Sequence, residues 1–343
     1  QIKNLGEKHL EPIKQVVFKV RRDQYDKPYD FATIFQRYLQ QPVLKVTTES
    51  GKEVICTYNQ PLLTKQGWER ADKLIPGTKI RVAPQIPNNV KTLAKTDFIK
   101  VKAKFGKLKE VALPEFVDNS LAALYGHIIG DGHLRNNGYS VTCYVNNEET
   151  DLIAPLISFW KTSFNIEPRY FITNEEPQVK TIENNNGTLR QFVSTQIMHN
   201  LEINSRPITQ ALAILSNKRV PQQIFQSPKD VISTFLAWLF EADGCDFGNG
   251  RGRAAIQLKS SNSGLLKDVQ LLLLYFGIHS RIGEYSLYIR RANDMSLFIK
   301  HIGFVSKKKG DNLNDIIKVI NLRDQRRKLY QRWEKIKNVE LCG

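Results

Sequence analysis

The sequence predicts an α+β protein in which an αββαββα unit occurs twice in tandem behind a β-rich N-terminal region. The first sign is a pair of apolar stretches, "EFVDNSLAALYGHIIGDGHL" and "SPKDVISTFLAWLFEADGCDFG", that both end in Asp-Gly. Similar alternations of strand and helix patterns follow each stretch. The two aspartates, Asp131 and Asp243, lie 112 positions apart, which sets the length of one unit.

Composition favours a soluble, intracellular, DNA-facing protein of two or three domains. The 343 residues include 50 Lys and Arg but only 34 Asp and Glu, a formal net charge of +16. Such an excess indicates a polyanionic partner, most often nucleic acid. No apolar run reaches the roughly 18 residues of a membrane span. The four cysteines are spread singly and show no zinc-site or disulfide spacing.

Turn signals divide the first part of the chain. Residues 1–95 show short β-branched runs, with a hairpin signal at Ser50-Gly51 and a turn at Pro76-Gly77. Residues 96–114 are a basic linker or a DNA-facing ribbon. The last segment, 314–343, carries Lys and Arg at helical spacing, and we expect a basic helix there, lying along DNA or exposed to solvent.

The first unit spans 115–226 and the second 227–313. Asn119-Ser120 and Ser227-Pro228 are typical helix starts, and a glycine ends each helix. In each unit the helix is followed by a strand pattern, an amphipathic helix, further strands and a helical segment with a lysine cluster. The polar stretch 173–191 is an insertion in the first unit, a hairpin or a loop.

The chemistry is expected where the two repeated helices end. Small residues in both helices, such as Gly126 and Ala242, allow close packing, which brings Asp131 and Asp243 side by side. Two carboxylates at helix C-termini repel each other and the helix dipole, but they suit divalent magnesium. A single Asp-Gly favours a plain helix-ending turn, whereas two matched copies favour a metal site. In a basic protein, this predicts metal-assisted phosphodiester hydrolysis.

"LYGHIIGDG" at 124–132 and "LAWLFEADG" at 236–244 resemble the two signature helices of the LAGLIDADG homing endonucleases. The second copy is close, with Glu241 in place of an aspartate; the first is looser and has Ile129 where the motif has its first acid. "NKRVP" at 217–221 and "SGLLKDVQLLLLYFGIHSRI" resemble further blocks of the intein-borne members. The resemblance covers residues 115–313.

This resemblance implies a monomer whose two four-stranded antiparallel sheets form a saddle over duplex DNA. It also implies two or three Mg²⁺ ions at the interface of the units and one lysine for each active centre. The implied metal ligands are Asp131 and Asp243 with the preceding Gly130 and Ala242, and the implied lysines are Lys218 and Lys309. His127 and His133 are expected to be packing or loop residues.

DNA contacts are expected on the strands after each signature helix. In "RGRAAIQLKS", period two places Arg253, Gln257 and Lys259 on one face of a strand. Each of these residues could contact a base, a phosphate or only water. The candidates are Arg135, Asn136, Tyr139, Tyr144, Arg169 and Tyr170 in the first unit, and Arg251, Arg253, Gln257, Lys259, Arg281, Tyr285, Tyr288 and Arg290 in the second.

The stretch "VTTESGKEVICTYNQPLLTKQGWERADKLIPGTKIRV" resembles a block of Hint-type protein-splicing domains. In that block a histidine stands at the position of Gln60. The resemblance implies that this histidine protonates the scissile amide nitrogen, which a glutamine cannot do. We therefore expect an intein lineage without splicing activity, whose β-rich region is an accessory DNA-binding arm or a structural remnant.

The combined prediction is a site-specific homing endonuclease that hydrolyses both strands of a long duplex target with magnesium. One alternative is a LAGLIDADG protein that binds nucleic acid without cleavage, such as a maturase, which the altered first motif keeps open. The other alternative is a protein-splicing element.

Overall fold

The computed structural model describes residues 12–19, 29–35, 42–98, 111–135, 138–173, 178–183, 189–194, 197–248, 254–311, 313 and 332–342. Within this part of the chain, no helix is long and apolar enough to cross a membrane.

The N-terminal region is built from short strands, as predicted. Its elements are β1 Pro12–Lys19, β2 Tyr29–Phe35, β3 Val43–Thr48, β4 Glu53–Thr57, β5 Pro61–Thr64, β6 Gly67–Arg70, a 3-10 turn at Ala71–Lys73 and β7 Lys79–Val82.

The first repeated unit follows a pair of two-residue strands. The elements are β8 Ala94–Lys95, β9 Phe116–Val117, α1 Asn119–Asp131, β10 Gly132–Leu134, β11 Ser140–Asn146, a 3-10 segment Asn147–Leu152, α2 Ile153–Phe164, β12 Arg169–Thr173, β13 Gln178–Glu183, β14 Leu189–Ser194, β15 Met198–Asn204, α3 Arg206–Ala211, a 3-10 turn Leu212–Leu215 and α4 Gln222–Phe225.

The second unit repeats this order without the inserted hairpin. Its elements are α5 Lys229–Asp243, β16 Gly244–Gly248, β17 Ala254–Lys259, α6 Ser263–Leu274, β18 Arg281–Ile282, β19 Ser286–Ile289 and α7 Ala292–His301, with helical residues at 307–311; strand β20, Arg332–Cys342, comes last.

Each unit contains one four-stranded antiparallel sheet, which confirms the predicted mixed fold with antiparallel sheets. The strand orders are β10-β11-β15-β12 and β16-β17-β19-β18, so the two sheets have corresponding topologies. The inserted stretch forms the antiparallel hairpin β13–β14. Strand β15, at the centre of the first sheet, was not predicted from the sequence.

Helices α1 and α5 pack against each other and form the centre of one hydrophobic core that contains both units. Every residue of α1 from Leu121 to Ile129 is buried. The helix has no polar face because α5, α2 and strand β11 pack around it. This packing explains why both signature stretches are apolar nearly throughout.

The expected C-terminal basic helix is wrong for residues 332–342, which form strand β20. In the six-stranded sheet, with order β4-β3-β20-β7-β5-β6, this strand pairs with both β3 and β7. A strand forms here because buried and exposed side chains alternate around Ile336. Ile336 packs in the small core with Val46 and Ile80, and the charged residues on either side of it are exposed. Residues 314–331 lie outside the described residues.

The six-stranded sheet is attached to the second unit by polar contacts. The Ser50 carbonyl accepts hydrogen bonds from the Ile282 amide (3.0 Å) and from Nε2 of Gln270 (3.0 Å). Arg332 of β20 forms a 2.5 Å ion pair with Asp294, which is buried in α7. These contacts fix the β-rich region against the side of the second unit.

Candidate active site and nucleic-acid interface

Each of the two central helices ends at an aspartate and passes directly into a strand. The amide of Gly132 donates to the Ile128 carbonyl, and the amide of Gly244 donates to the Phe240 carbonyl. A Cβ at Gly132 would lie 2.4 Å from Cα of Ile128, and one at Gly244 would lie 2.2 Å from the Phe240 oxygen. Only glycine fits this junction, so the Asp-Gly pairs fix Asp131 and Asp243 where helix becomes strand.

The same ends of the helices are in close contact. A Cβ at Gly126 would lie 2.4 Å from the Phe235 carbonyl oxygen, and one at Gly130 would lie 2.4 Å from Cβ of Ala242 and 3.5 Å from Cγ of Asp243. The helix backbones therefore approach as closely as the small residues permit. The structure thus brings together Asp131, Asp243 and the residues that precede them, as the sequence predicted.

The pKa values of both aspartates are raised above the ordinary value. Burial, followed by the charge of Asp243, raises the pKa of Asp131 to about 6. Burial also raises the pKa of Asp243. Lys309 and Lys218 act against both shifts, so both predicted lysines lie within electrostatic range of both carboxylates.

Lys218 is exposed and has a left-handed backbone conformation, with φ of 48°. Nδ2 of Asn262 donates to the Asn217 carbonyl (2.9 Å) and to the Lys218 carbonyl (3.0 Å). A non-glycine residue with positive φ is strained and persists only when its surroundings hold it. Asn262 provides that support from the second unit, and Lys218 lines an open cleft together with Asp243, Lys259 and Tyr285.

Lys309 is held by Glu241, the acidic residue of the second motif. The carboxylate of Glu241 is 1% exposed and accepts hydrogen bonds from the Val305 amide (2.6 Å), the Ser306 amide (3.0 Å) and the Ser306 hydroxyl (2.7 Å). Nζ of Lys309 donates to the Glu241 carbonyl and lies 3.7 Å from its carboxylate. Glu241 therefore fixes the start of the helical residues at 307–311 that carry this lysine.

Sequence reasoning missed Glu149 as a neighbour of this site. Its carboxylate lies 3.7 Å from Nζ of Lys309 and its side chain is 14% exposed. The only signal in the sequence is the acidic run Glu148-Glu149 after the first strand pattern, and nothing in the sequence pairs it with the lysines 160 residues later.

The two histidines lie outside the carboxylate cluster. His127 is 1% exposed in α1, where its ring packs edge-on against Trp238 with centroids 5.9 Å apart. Its Nε2 lies 3.1 Å from the Tyr144 carbonyl, and burial lowers its pKa to about 4, so the ring is neutral. His133 is exposed in β10.

The donor set suits magnesium. Among the described residues, no three His, Cys, Asp or Glu side chains form a metal-binding group. Magnesium needs only one or two carboxylates when substrate phosphates and water complete its shell. Asp131 is a half-buried carboxylate with its pKa raised partly by Asp243, and a cation between the two would relieve their repulsion. The residues therefore fit this metal.

The outer face of the second sheet carries most of the predicted DNA-binding residues there. Cys245, Tyr288 and Arg281 form one cross-strand row through Gln257, and Lys259 lies opposite Ser286 in the next row. The guanidinium of Arg290 lies 4.3 Å from the Tyr288 ring.

Gln257 differs from the expected free base reader. It is 7% exposed, and its Nε2 donates to the Ser286 hydroxyl (2.7 Å) and lies 3.4 Å from the Tyr288 hydroxyl. In this arrangement Gln257 orients Tyr288 rather than projecting from the sheet.

In the first sheet, the neighbouring DNA-contact candidates Arg169 and Tyr170 lie on strand β12. Arg169 lies opposite Glu202 and Thr142 on the outer face, which also carries Tyr144. Tyr170 lies opposite Leu201 on the helix-covered face, and its hydroxyl lies 2.7 Å from Nδ1 of His199. The two candidates therefore lie on opposite faces of the sheet, because adjacent residues of a strand point to opposite sides.

Two more candidates lie beside this sheet, and three are not described. Nη2 of Arg135 lies 3.4 Å from the Glu202 carboxylate, and the Arg206 guanidinium lies 5.6 Å from the ring of the exposed Tyr139. Asn136, Arg251 and Arg253 lie outside the described residues.

Comparison with known protein families gives a match to the second unit of the chain. The family model described as "LAGLIDADG-like domain" matches residues 230–330.

Three curated relatives carry two unrelated names. The chain is 27% identical over 304 residues to the replicative DNA helicase DnaB of Rhodothermus marinus, covering 82% of this chain and 28% of the relative. It is 28% identical over 291 residues to the same-named protein of Synechocystis sp., covering 78% and 29%. It is 26% identical over 226 residues to the glutamine–fructose-6-phosphate aminotransferase of Methanocaldococcus jannaschii, covering 60% and 18%. The chain thus spans under a third of each relative.

Two solved structures show weak likeness. The homing endonuclease I-WcaI bound to its DNA recognition sequence has a TM-score of 0.38 and 14% identity, covering 56% of this chain and 85% of that one. The N-terminal LAGLIDADG domain of DUF199/WhiA has a TM-score of 0.35 and 16% identity, covering 59% and 86%. Scores this low do not decide between a nuclease and another protein.

Proposed function

We propose that this chain is a site-specific DNA endonuclease of the LAGLIDADG type that hydrolyses both strands of a long duplex target. The observation that carries this proposal is the meeting of Asp131 and Asp243 at the ends of two packed helices, with Lys218 and Lys309 within electrostatic range of both. Carboxylates and lysines at one point of a basic protein suit the charges of phosphodiester cleavage.

In this mechanism Asp131 and Asp243 would hold Mg²⁺, and the carbonyls of Gly130 and Ala242 would be further ligands. When bound, the metal ions lower the pKa of water and neutralise charge on the phosphate. Lys218 and Lys309 add positive charge where negative charge develops on the phosphate oxygens. The close packing of α1 and α5 keeps both carboxylates in place.

The two outer sheet faces would bind the duplex as a saddle on a monomer. Arg169 and Tyr144 are on the outer face of the first sheet, and Lys259, Arg281 and Arg290 are on that of the second. The net charge of +16 supports a polyanionic ligand. The undescribed Asn136, Arg251 and Arg253 remain proposed contacts, whereas Tyr170 would reach DNA only from the sheet edge.

We further propose that the chain derives from an intein-like insert. Its relatives are named as a helicase and an aminotransferase, and only 18–29% of their length is matched. A shared segment in proteins of unrelated activity suggests an element inserted into different hosts. The topology agrees, since β20 follows the nuclease unit and pairs with β3 and β7, which precede it. Such a β-rich region resembles a Hint domain, in which Gln60 would not support splicing.

A second candidate is a DNA-binding protein that does not cleave. Ile129 is 1% exposed at the position that corresponds to Glu241, so the first helix lacks the acid that anchors the lysine segment in the other half. A defect at one centre would leave a nicking or purely binding protein.

In vitro selection from a randomised duplex library separates these candidates. We expect cleaved sites of one consensus to be recovered with Mg²⁺, and bound but intact duplexes of the same consensus with Ca²⁺. Recovery of bound duplexes with no cleaved strand in Mg²⁺ would favour the non-cleaving protein. Splicing is tested by expressing the chain between two reporter segments, and ligated reporters would contradict the role given to Gln60.

A further inference from the structure

Each lysine of the candidate site contacts a side chain of the opposite unit, and the two contacts differ in kind. The backbone of Lys218, at the end of the first unit, is held by Asn262, which lies between β17 and α6 of the second unit. Lys309, at the end of the second unit, lies 3.7 Å from Glu149, in the corresponding connection between β11 and α2 of the first unit. The neutral amide of Asn262 thus contacts the backbone carbonyl of Lys218, whereas the carboxylate of Glu149 lies beside the ammonium group of Lys309.

The acidic connection makes further contacts with the lysine run. Glu148 pairs with Lys308, and the Asp151 carboxylate accepts a 2.8 Å hydrogen bond from the Lys307 amide. Asp151 therefore fixes the backbone of the run, and Glu148 pairs with the exposed Lys308. Glu149 alone of the three adds a negative charge beside the lysine that faces them.

The surroundings of the two ammonium groups therefore differ in charge. Among the described residues, Lys218 has no carboxylate within 4.0 Å of its Nζ, whereas Lys309 has both Glu149 and Glu241 at 3.7 Å. A carboxylate at this distance offsets part of the positive field that the lysine exerts on a phosphate.

We propose that Glu149 weakens the active centre that contains Lys309, so that the DNA strand served by this centre is the slower one to be cut. The inference rests on the proposed endonuclease function. Glu149 is not needed to hold Lys309 in place, because Glu241 is buried, anchored by three hydrogen bonds and bonded through its carbonyl to the same ammonium. Glu149 therefore acts on the site through its negative charge beside Lys309 and not by holding that lysine in place.

Strand-resolved single-turnover cleavage tests this proposal. The substrate is the duplex recovered by selection with Mg²⁺, with a different fluorophore on each strand. Lys309→Met and Lys218→Met show which strand depends on which lysine, because each variant should strongly slow the cleavage of only one of the two DNA strands. We expect the Lys309-dependent strand to be the slower in the unmodified protein, and Glu149→Gln to speed it by about fivefold while the other strand is unchanged.

Glu148→Gln is the matched control, because it removes the neighbouring carboxylate in the same segment, which pairs with Lys308 instead. It should leave both strand rates unchanged. A general structural effect would move both strands together and shift the unfolding midpoint, so that outcome contradicts the inference. Three other results would also contradict the inference. They are equal cleavage rates for the two strands in the unmodified protein, slower cleavage of the Lys309-dependent strand in Glu149→Gln, and faster cleavage of that strand in Glu148→Gln. If the unmodified protein cuts neither strand, the proposed function itself fails, and the inference with it.

Discussion

Asp131 is the residue whose ionisation most affects the candidate site. Its pKa of about 6 reflects burial and the neighbouring Asp243. Below this pH the metal-free site sheds one negative charge by binding a proton, and a proton competes with a cation for the same oxygen atoms. We therefore expect magnesium affinity to fall as the pH is lowered through 6.

The same shift predicts a pH-dependent cost to folding. An aspartate whose pKa is raised in the native state binds more protons when folded than when unfolded, so stability falls as pH rises from about 4 to 6. In EDTA, Asp131→Asn should therefore be more stable than the unmodified protein at pH 7.5, by about 1–3 kcal/mol, and not at pH 4.5. Urea unfolding at both pH values measures this difference.

The control is Asp230→Asn, which removes an exposed aspartate from the first turn of α5. Its effect on stability should change little between the two pH values. A difference between Asp131→Asn and the unmodified protein that is the same at pH 4.5 and pH 7.5 would show that Asp131 is not perturbed in the folded protein.

At the scale of elements, the α1–α5 contact depends on the absence of a side chain at Gly126. A Cβ there would lie 2.4 Å from a backbone oxygen of α5, so the helices must separate to accommodate it. We expect Gly126→Ala to lower the free energy of unfolding by about 1–3 kcal/mol despite the better helix propensity of alanine. Gly310→Ala is the control, since no atom lies within 4 Å of its added Cβ. Equal unfolding midpoints for the two variants would contradict the close packing.

The loop of Lys218 gives a second prediction at this scale. Asn262 has two roles: its Oδ1 caps α6 by accepting from the amides of Gly264 (2.9 Å) and Leu265 (3.2 Å), and its Nδ2 holds the Lys218 carbonyl. Asn262→Asp keeps the cap but removes the donor, whereas Asn262→Ala removes both.

We expect both variants to slow cleavage of the Lys218-dependent strand by about tenfold, because the strained loop is released. Only Asn262→Ala should also lower stability, by about 1 kcal/mol. Cleavage rates for each strand and unfolding midpoints measure the two effects separately. Normal cleavage by Asn262→Asp would show that this hydrogen bond does not position Lys218.

At the scale of the whole molecule, β20 connects the chain after the two repeated units with the strands that precede them. It lies between β3 and β7 in the six-stranded sheet, and its Ile336 is part of the small core. A chain that ends after residue 331 should lose this sheet and expose residues 42–83 to proteases, while the α1–α5 core persists. Limited proteolysis with mass spectrometry measures this, and an unchanged cleavage pattern would contradict the account.

Much of this arrangement could be predicted from local signals. Asp131 and Asp243 belong to a repeated motif, and most strands and helices of the two units follow from periodicity along the chain. Lys218 was named only because "NKRVP" resembles a known block. Strand β20 could not be predicted, because its partners lie about 290 residues earlier and its charged residues imitate a helix. Glu149 and Asn262 were missed for the same reason, since each acts on the opposite unit. Contacts between distant segments leave no local pattern in a single sequence.

The central claim is that Asp131 and Asp243 together cut DNA, and it is tested most directly by substituting each in turn. The measurement is cleavage of the selected duplex in Mg²⁺ by Asp131→Asn, Asp243→Asn and the double variant, with binding measured in Ca²⁺. We predict retained binding and a loss of cleavage of at least a hundredfold in the double variant. Magnesium-dependent cleavage that persists in the double variant would contradict the assignment of the active site.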